Sequence, residues 1–150
     1  MFNYSKITKE SLKADLTESI QNSKNFVTKL KETEDIKLEF FDLFERQMSD
    51  LSGRVIFLGD VHVDEEIRKF ANEAESIIEN YLLENITDVK LYEKFQEIDK
   101  ASLEGESLKY FKEVERDFID AGHRLEEEPK VRLIEIEKRL IDLEIAFSKN

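Results

Sequence analysis

Val55-Ile56-Phe57-Leu58-Gly59-Asp60-Val61-His62-Val63 is the stretch on which the fold class turns, because it is the one place where a strand competes with a helix. Its β-branched residues favour an extended backbone. A lone strand, however, has no partner to complete its hydrogen bonds, and no second strand-like run occurs elsewhere in the chain. The preceding residues settle the choice. Phe40, Phe44, Met48, Leu51 and Val55 recur at alternating four- and three-residue steps, which stacks them on one face of a helix. Phe41, Leu43 and Phe57 widen that stripe and predict burial on more than one side. Gly59 is a natural stop, so the helix is expected to end near it and lead into a short connector.

Outward from this segment the periodicity is helical nearly throughout. Upstream, Thr8 is a plausible N-cap for a helix carrying Leu12, Leu16, Ile20, Val27 and Leu30, which dissolves at Glu32-Thr33-Glu34-Asp35. Downstream, Asp64 caps a helix with Glu65 and Glu66 in its first turn, where the macrodipole favours acids. Its stripe is Ile67, Phe70, Ala71, Ala74, Ile77, Ile78 and Tyr81. Thr87 or Asp88 starts a short fourth helix through Leu91, Tyr92, Phe95 and Ile98. The fifth carries Leu108, Phe111, Val114, Phe118 and Ile119, with Gly122 where a left-handed residue belongs. Pro129 marks a first helical turn, and Leu133, Ile136, Leu140, Leu143 and Phe147 then follow at the spacing of a packed helix–helix seam. That pattern is still running at Asn150 with no C-cap, which hints at a fragment of a longer chain. Leu140, Leu143 and Phe147 are therefore expected to be left uncovered for want of a partner domain. The expectation is an all-α protein: about six amphipathic helices in an antiparallel bundle or stacked helical hairpins, forming one domain over 1–150.

Composition narrows the function. With 23 Lys and Arg against 35 Asp and Glu, the chain carries a net charge of −12, which repels phosphate backbones and argues against nucleic acid as a partner. The absence of Cys removes thiolate nucleophiles, disulfides and Cys-ligated metals. No apolar run reaches the roughly 18 residues of a membrane span and no signal-peptide core is present, so a cytoplasmic protein without membrane contact is expected.

Motifs that carry chemistry are weak. Gly59-Asp60-Val61-His62 matches the first metal motif of calcineurin-like phosphoesterases, but its partner ligands and the alternating strands they stand on are missing. His62-x-x-Glu65 and Asp120-x-x-His123 have the spacing of helical di-iron ligands, yet one has the wrong order and Gly122 interrupts the other. Both histidines are expected at the surface beside helix ends. Glu73, Glu113 and Glu115 are three acids among 35 and single out no acid–base pair. The phenylalanines Phe40, Phe44, Phe70, Phe95, Phe111, Phe118 and Phe147 sit at core spacing with no basic groove to make them a stacking platform. No catalytic, cofactor-binding or metal-binding residue is assigned.

The order of segments resembles the M3 zinc metallopeptidases, the oligopeptidase A and thimet oligopeptidase family. The likeness rests on Tyr4-Ser5-Lys6-Ile7-Thr8-Lys9-Glu10-Ser11-Leu12, then Leu58 to Lys69, then Leu91-Tyr92. It is best in Arg116-Asp117-Phe118-Ile119-Asp120-Ala121-Gly122-His123-Arg124-Leu125 and in Leu133 to Ile136 through Leu143 and Phe147-Ser148-Lys149-Asn150. Lys9 stands where the family often has Pro. The resemblance implies the N-terminal helical region of a cytoplasmic-type endopeptidase, one wall of a channel that admits short peptides. It implies a C-terminal catalytic domain as partner, which holds zinc through two histidines and a glutamate and uses a second glutamate as general base. None of those residues has a counterpart here, so this chain alone should need no cofactor and should not hydrolyse peptides. The alternative is a stand-alone helical interaction module without enzymatic activity.

Overall fold

The computed structural model describes residues 7–148 and is all-α, with six α-helices and no strand among the described residues. They are α1 (Lys9–Glu32), α2 (Leu38–Val61), α3 (Glu65–Ile86), α4 (Val89–Gln96), α5 (Gly105–Phe118) and α6 (Glu127–Ser148). Residues 4–6 of the family-like opening lie outside the described residues, as do Lys149, Asn150 and any cap they would provide.

Local chemistry sets most of the boundaries. Thr8 and Ser11 form a reciprocal capping box at the start of α1. Asp64 and Asp88 accept the backbone N–H groups of Glu66 and Leu91 and so cap α3 and α4. After α5 a single wide turn, Ile119–His123, contains Gly122 at φ 93°, the left-handed conformation that a Cβ would strain. Pro129 falls in the first turn of α6.

The Val55–Val63 stretch is helical up to Val61, two residues beyond the expected stop. Gly59 does not end α2; it lies where α2 crosses α3, and a Cβ there would run into the Asn72 side chain and touch Ala71. With Ala71 and Ala74 fully buried on the facing helix, these small residues let the two backbones approach closely.

Two apolar clusters hold the bundle. The first joins the N-terminal half of α1 (Leu12, Leu16, Ile20) to the C-terminal half of α2 (Met48, Leu51, Val55, Leu58) and to α3 (Ile67, Phe70, Ile78, Tyr81). The second joins the opposite ends of α1 and α2 (Val27, Leu30, Leu38, Phe41) to α4 and α5. This division makes α1–α2–α3 an antiparallel array whose far end is closed by α4 and α5. Inside the first cluster, Ser23 fills the gap in the α1 stripe, and its hydroxyl accepts a 3.0 Å hydrogen bond from Tyr81. Asn85, also buried, donates to the Tyr81 carbonyl at 2.7 Å.

Three expectations about apolar faces need correcting. Leu43 and Phe57 are exposed, so α2 is buried along one stripe with half-buried flanks and not on several sides. Phe147 is 84% exposed and is no part of a core. In α6 the stripe expected to pack faces outward, with Ile136, Leu140 and Leu143 exposed, while the opposite face carries buried Ile145 and packs against α3. The expected exposure of Leu140, Leu143 and Phe147 is observed.

Candidate functional site

An apolar cleft of about 400 Å³ beneath α6 is built like a binding site. Phe41, Phe44, Leu83, Ile86, Phe118 and Ile141 form its floor and walls, so α2, α3, α5 and α6 all contribute. Four carboxylates stand around it: Glu45 from α2, Glu79 from α3, and Glu137 and Glu144 from α6. No basic side chain joins them in the lining. Partial burial raises the Glu79 pKa above the ordinary carboxylate range, and the charges of Glu75 and Glu144 add to the shift. Burial does the same to Glu45, opposed by the neighbouring Tyr110 hydroxyl and reinforced by the Asp117, Asp42 and Glu113 charges. Tyr110 is in turn held protonated by its own burial and by the Glu45 charge beside it. Such a site accepts apolar groups and cations and repels anions. Among the described residues its lining holds no serine, threonine, lysine or histidine side chain.

The histidine motifs serve the architecture. Asp60 is exposed at the end of α2. His62 sits at the α2–α3 corner, where its Nδ1 accepts the Asp64 N–H at 3.0 Å and its carbonyl accepts from Arg68. Glu65, with its pKa lowered, pairs with Lys69 on the surface of α3. Asp120 is exposed. His123 turns inward, contrary to its expected place at the surface, because the Gly122 turn carries it back under α5. Its ring stacks on Tyr92 at 4.4 Å and meets Phe118 edge-on at 5.5 Å. Its Nε2 lies 2.7 Å from the Ile86 carbonyl, which makes Nε2–H the donor. Among the described residues no three His, Asp or Glu side chains converge as metal ligands.

Burial lowers the His123 pKa below its usual 6.5, against the Ile86 hydrogen bond, which raises it. Between the lowered folded value and 6.5 the unfolded chain binds more protons than the folded one, so stability falls as pH drops through that window. The raised Glu45 and Glu79 act in the opposite sense, since their protonation on acidification favours the folded state. The expected result is that His123→Phe keeps the ring stack, loses the Ile86 hydrogen bond, and shows a smaller drop in melting temperature from neutral to mildly acid pH than the wild type. Parallel slopes for the two proteins would show that His123 does not titrate against the fold.

The cleft acids were not legible as a group, because they come from three helices far apart in sequence. The available signal was the second apolar row of α6 at Ile134, Ile141 and Ile145, which marks the face that docks.

No protein-family model matches the chain. It is similar to saccharolysin of Saccharomyces cerevisiae, 26% identical over 153 residues that take in 95% of this chain and 22% of that protein. It is also similar to thimet-like oligopeptidase of Dictyostelium discoideum, 26% identical over 119 residues, 75% of this chain and 18% of that protein. Both relatives are M3 peptidases. The chain thus spans about a fifth of the length of the curated relatives it matches. No described helix is long and apolar enough to cross a membrane.

Proposed function

We propose that this chain is the non-catalytic, N-terminal helical part of an M3-like zinc oligopeptidase, forming a wall of the channel that admits short peptides. The observation that carries the reading is the alignment with saccharolysin along 95% of the chain, against only 22% of that larger peptidase. The residues of the best-matching motif agree with a scaffold role. Phe118 is buried at the centre of the second cluster and Gly122 holds a left-handed turn, so the likeness rests on structural positions. On this reading zinc and its histidine and glutamate ligands belong to a C-terminal catalytic domain that is the chain's partner, in a cytoplasmic enzyme. The acid-lined cleft then supplies an apolar, anion-repelling patch of the wall.

A chimera tests the proposal. With this chain substituted for the aligned segment of saccharolysin, the product should still cleave a short internally quenched peptide in a zinc-dependent way. A folded, zinc-loaded chimera that cleaves nothing would contradict it. The second reading, a stand-alone interaction module, is favoured by one observation, the exposed apolar face of α6.

A further inference from the structure

We infer that the cleft beneath α6 is a binding site for a small hydroxyaryl-alkylamine, a ligand with a phenolic hydroxyl at one end and an ammonium group at the other. The inference stands apart from the channel-wall reading, since α2, α3, α5 and α6 of this chain supply the walls. The cleft also lies on the side of α6 that faces the bundle, away from the outward row of Ile136, Leu140 and Leu143. The residue that points to a ligand is Asn85. It lines the cleft and is only 7% exposed. Its Nδ2 donates to the Tyr81 carbonyl at 2.7 Å, which fixes the amide's orientation, because two carbonyl oxygens do not bond to each other. The Oδ1 is left as an acceptor, and among the described residues it receives no hydrogen bond. A buried amide oxygen without a donor is costly, and native structures leave few of them. Phe41, Leu91, Val114 and Phe118 line the cleft and are all buried, so the missing donor has to arrive on an apolar body.

The mouth of the cleft calls for the opposite kind of group. Glu79 and Glu137 line it half-buried, and among the described residues neither is in an ion pair. Glu144 stands there too but already has a partner, and Glu45 lies beside the Tyr110 hydroxyl. Burial and then the Glu75 and Glu144 charges hold the Glu79 pKa up, with no cation to offset them. An ammonium at the mouth meets carboxylates and keeps part of its water. Beside Asn85 it would be stripped of water for a single neutral acceptor, which costs far more than it returns. The cation therefore belongs at the mouth and a neutral O–H at Asn85. Between them the lining includes the rings of Phe41, Phe44 and Phe118, which suit an aromatic body. A single ring with a short alkyl chain fits within about 400 Å³.

Isothermal titration calorimetry of the purified full chain with tyramine tests the inference. Tyramine should bind about three- to tenfold tighter than phenethylamine, which lacks only the hydroxyl, the margin of one hydrogen bond. Hydroxyphenylpropionate, with a carboxylate in place of the ammonium, should not bind at about 1 mM. Asn85→Leu should abolish the margin between the two amines and leave phenethylamine binding unchanged. Glu79→Gln/Glu137→Gln, at positions outside both apolar clusters, should weaken both amines by at least about threefold. A wild-type chain that binds no tyramine up to about 1 mM would overturn the inference and leave the cleft to a domain outside this chain. So would hydroxyphenylpropionate bound as tightly as tyramine, amine binding indifferent to the two glutamines, or a folded Asn85→Leu chain that keeps the margin. Should Asn85→Leu fail to fold, the two amines on the wild-type chain still decide, since equal affinity for both overturns the role given to Asn85.

Discussion

Phe118→Ala should lower the unfolding free energy by about 3–5 kcal/mol, the cost of truncating a buried aromatic. The residue is 1% exposed and its ring contacts four others: Phe95 and Tyr92 with centroids at 5.3 Å, Phe41 at 6.3 Å and His123 at 5.5 Å. These neighbours sit on α2, α4 and the turn after α5. Each is fixed by its own helix, so they cannot close in on the space a lost ring would leave. The edge-on pair with Phe41 adds roughly 0.5–1.5 kcal/mol beyond area burial, and alanine forfeits that too. For a chain of this length the change corresponds to a fall of about 6–20 °C in melting temperature. Urea unfolding should show a lower midpoint with the same slope, and Phe118→Leu should recover part of the loss. An unchanged midpoint would mean that the second cluster is not assembled around this ring.

Leu51→Ala should cost about 2–5 kcal/mol and fall toward the upper end of that range. Leu51 is fully buried in the middle of α2 within the first cluster. Ala71 and Ala74 are buried across from it in the same cluster, and as alanines they have no flexible length with which to fill a cavity. The helices already approach closely at Gly59, so collapse is limited on that side as well. Chemical denaturation gives the number directly, and a cost below about 1 kcal/mol would show that α2 and α3 are not packed as described.

The sequence made the helices legible because each carries its own punctuation. Thr8 and Asp64 cap the helices they were expected to cap, Asp88 and not Thr87 caps α4, and Gly122 adopts the positive φ expected of it. Periodicity was less informative wherever a helix carries more apolar surface than its neighbours cover. In α6 two rows compete, Leu133-Ile136-Leu140-Leu143-Phe147 and Ile134-Ile141-Ile145. Spacing shows that each lies on one face but not which of them meets α3. Leu43 and Phe57 mislead for the same reason, as apolar side chains on a long helix whose neighbours cover one stripe. Gly59 reads as a stop along the chain and proves to be a crossing point in space, because its reason for being small lies on α3. The cleft acids needed the tertiary fold outright: Glu45, Glu79, Glu137 and Glu144 belong to helices that only packing brings together. His123 turned inward because one left-handed glycine redirects the chain after α5.

On the proposed reading these helices form a scaffold, and the reactive centre belongs to another domain. The most direct test of that reading is to incubate the purified chain with an internally quenched short peptide, with and without added zinc. No cleavage above buffer is expected in either case. Turnover by the isolated chain that rises with zinc and disappears with a chelator would contradict it.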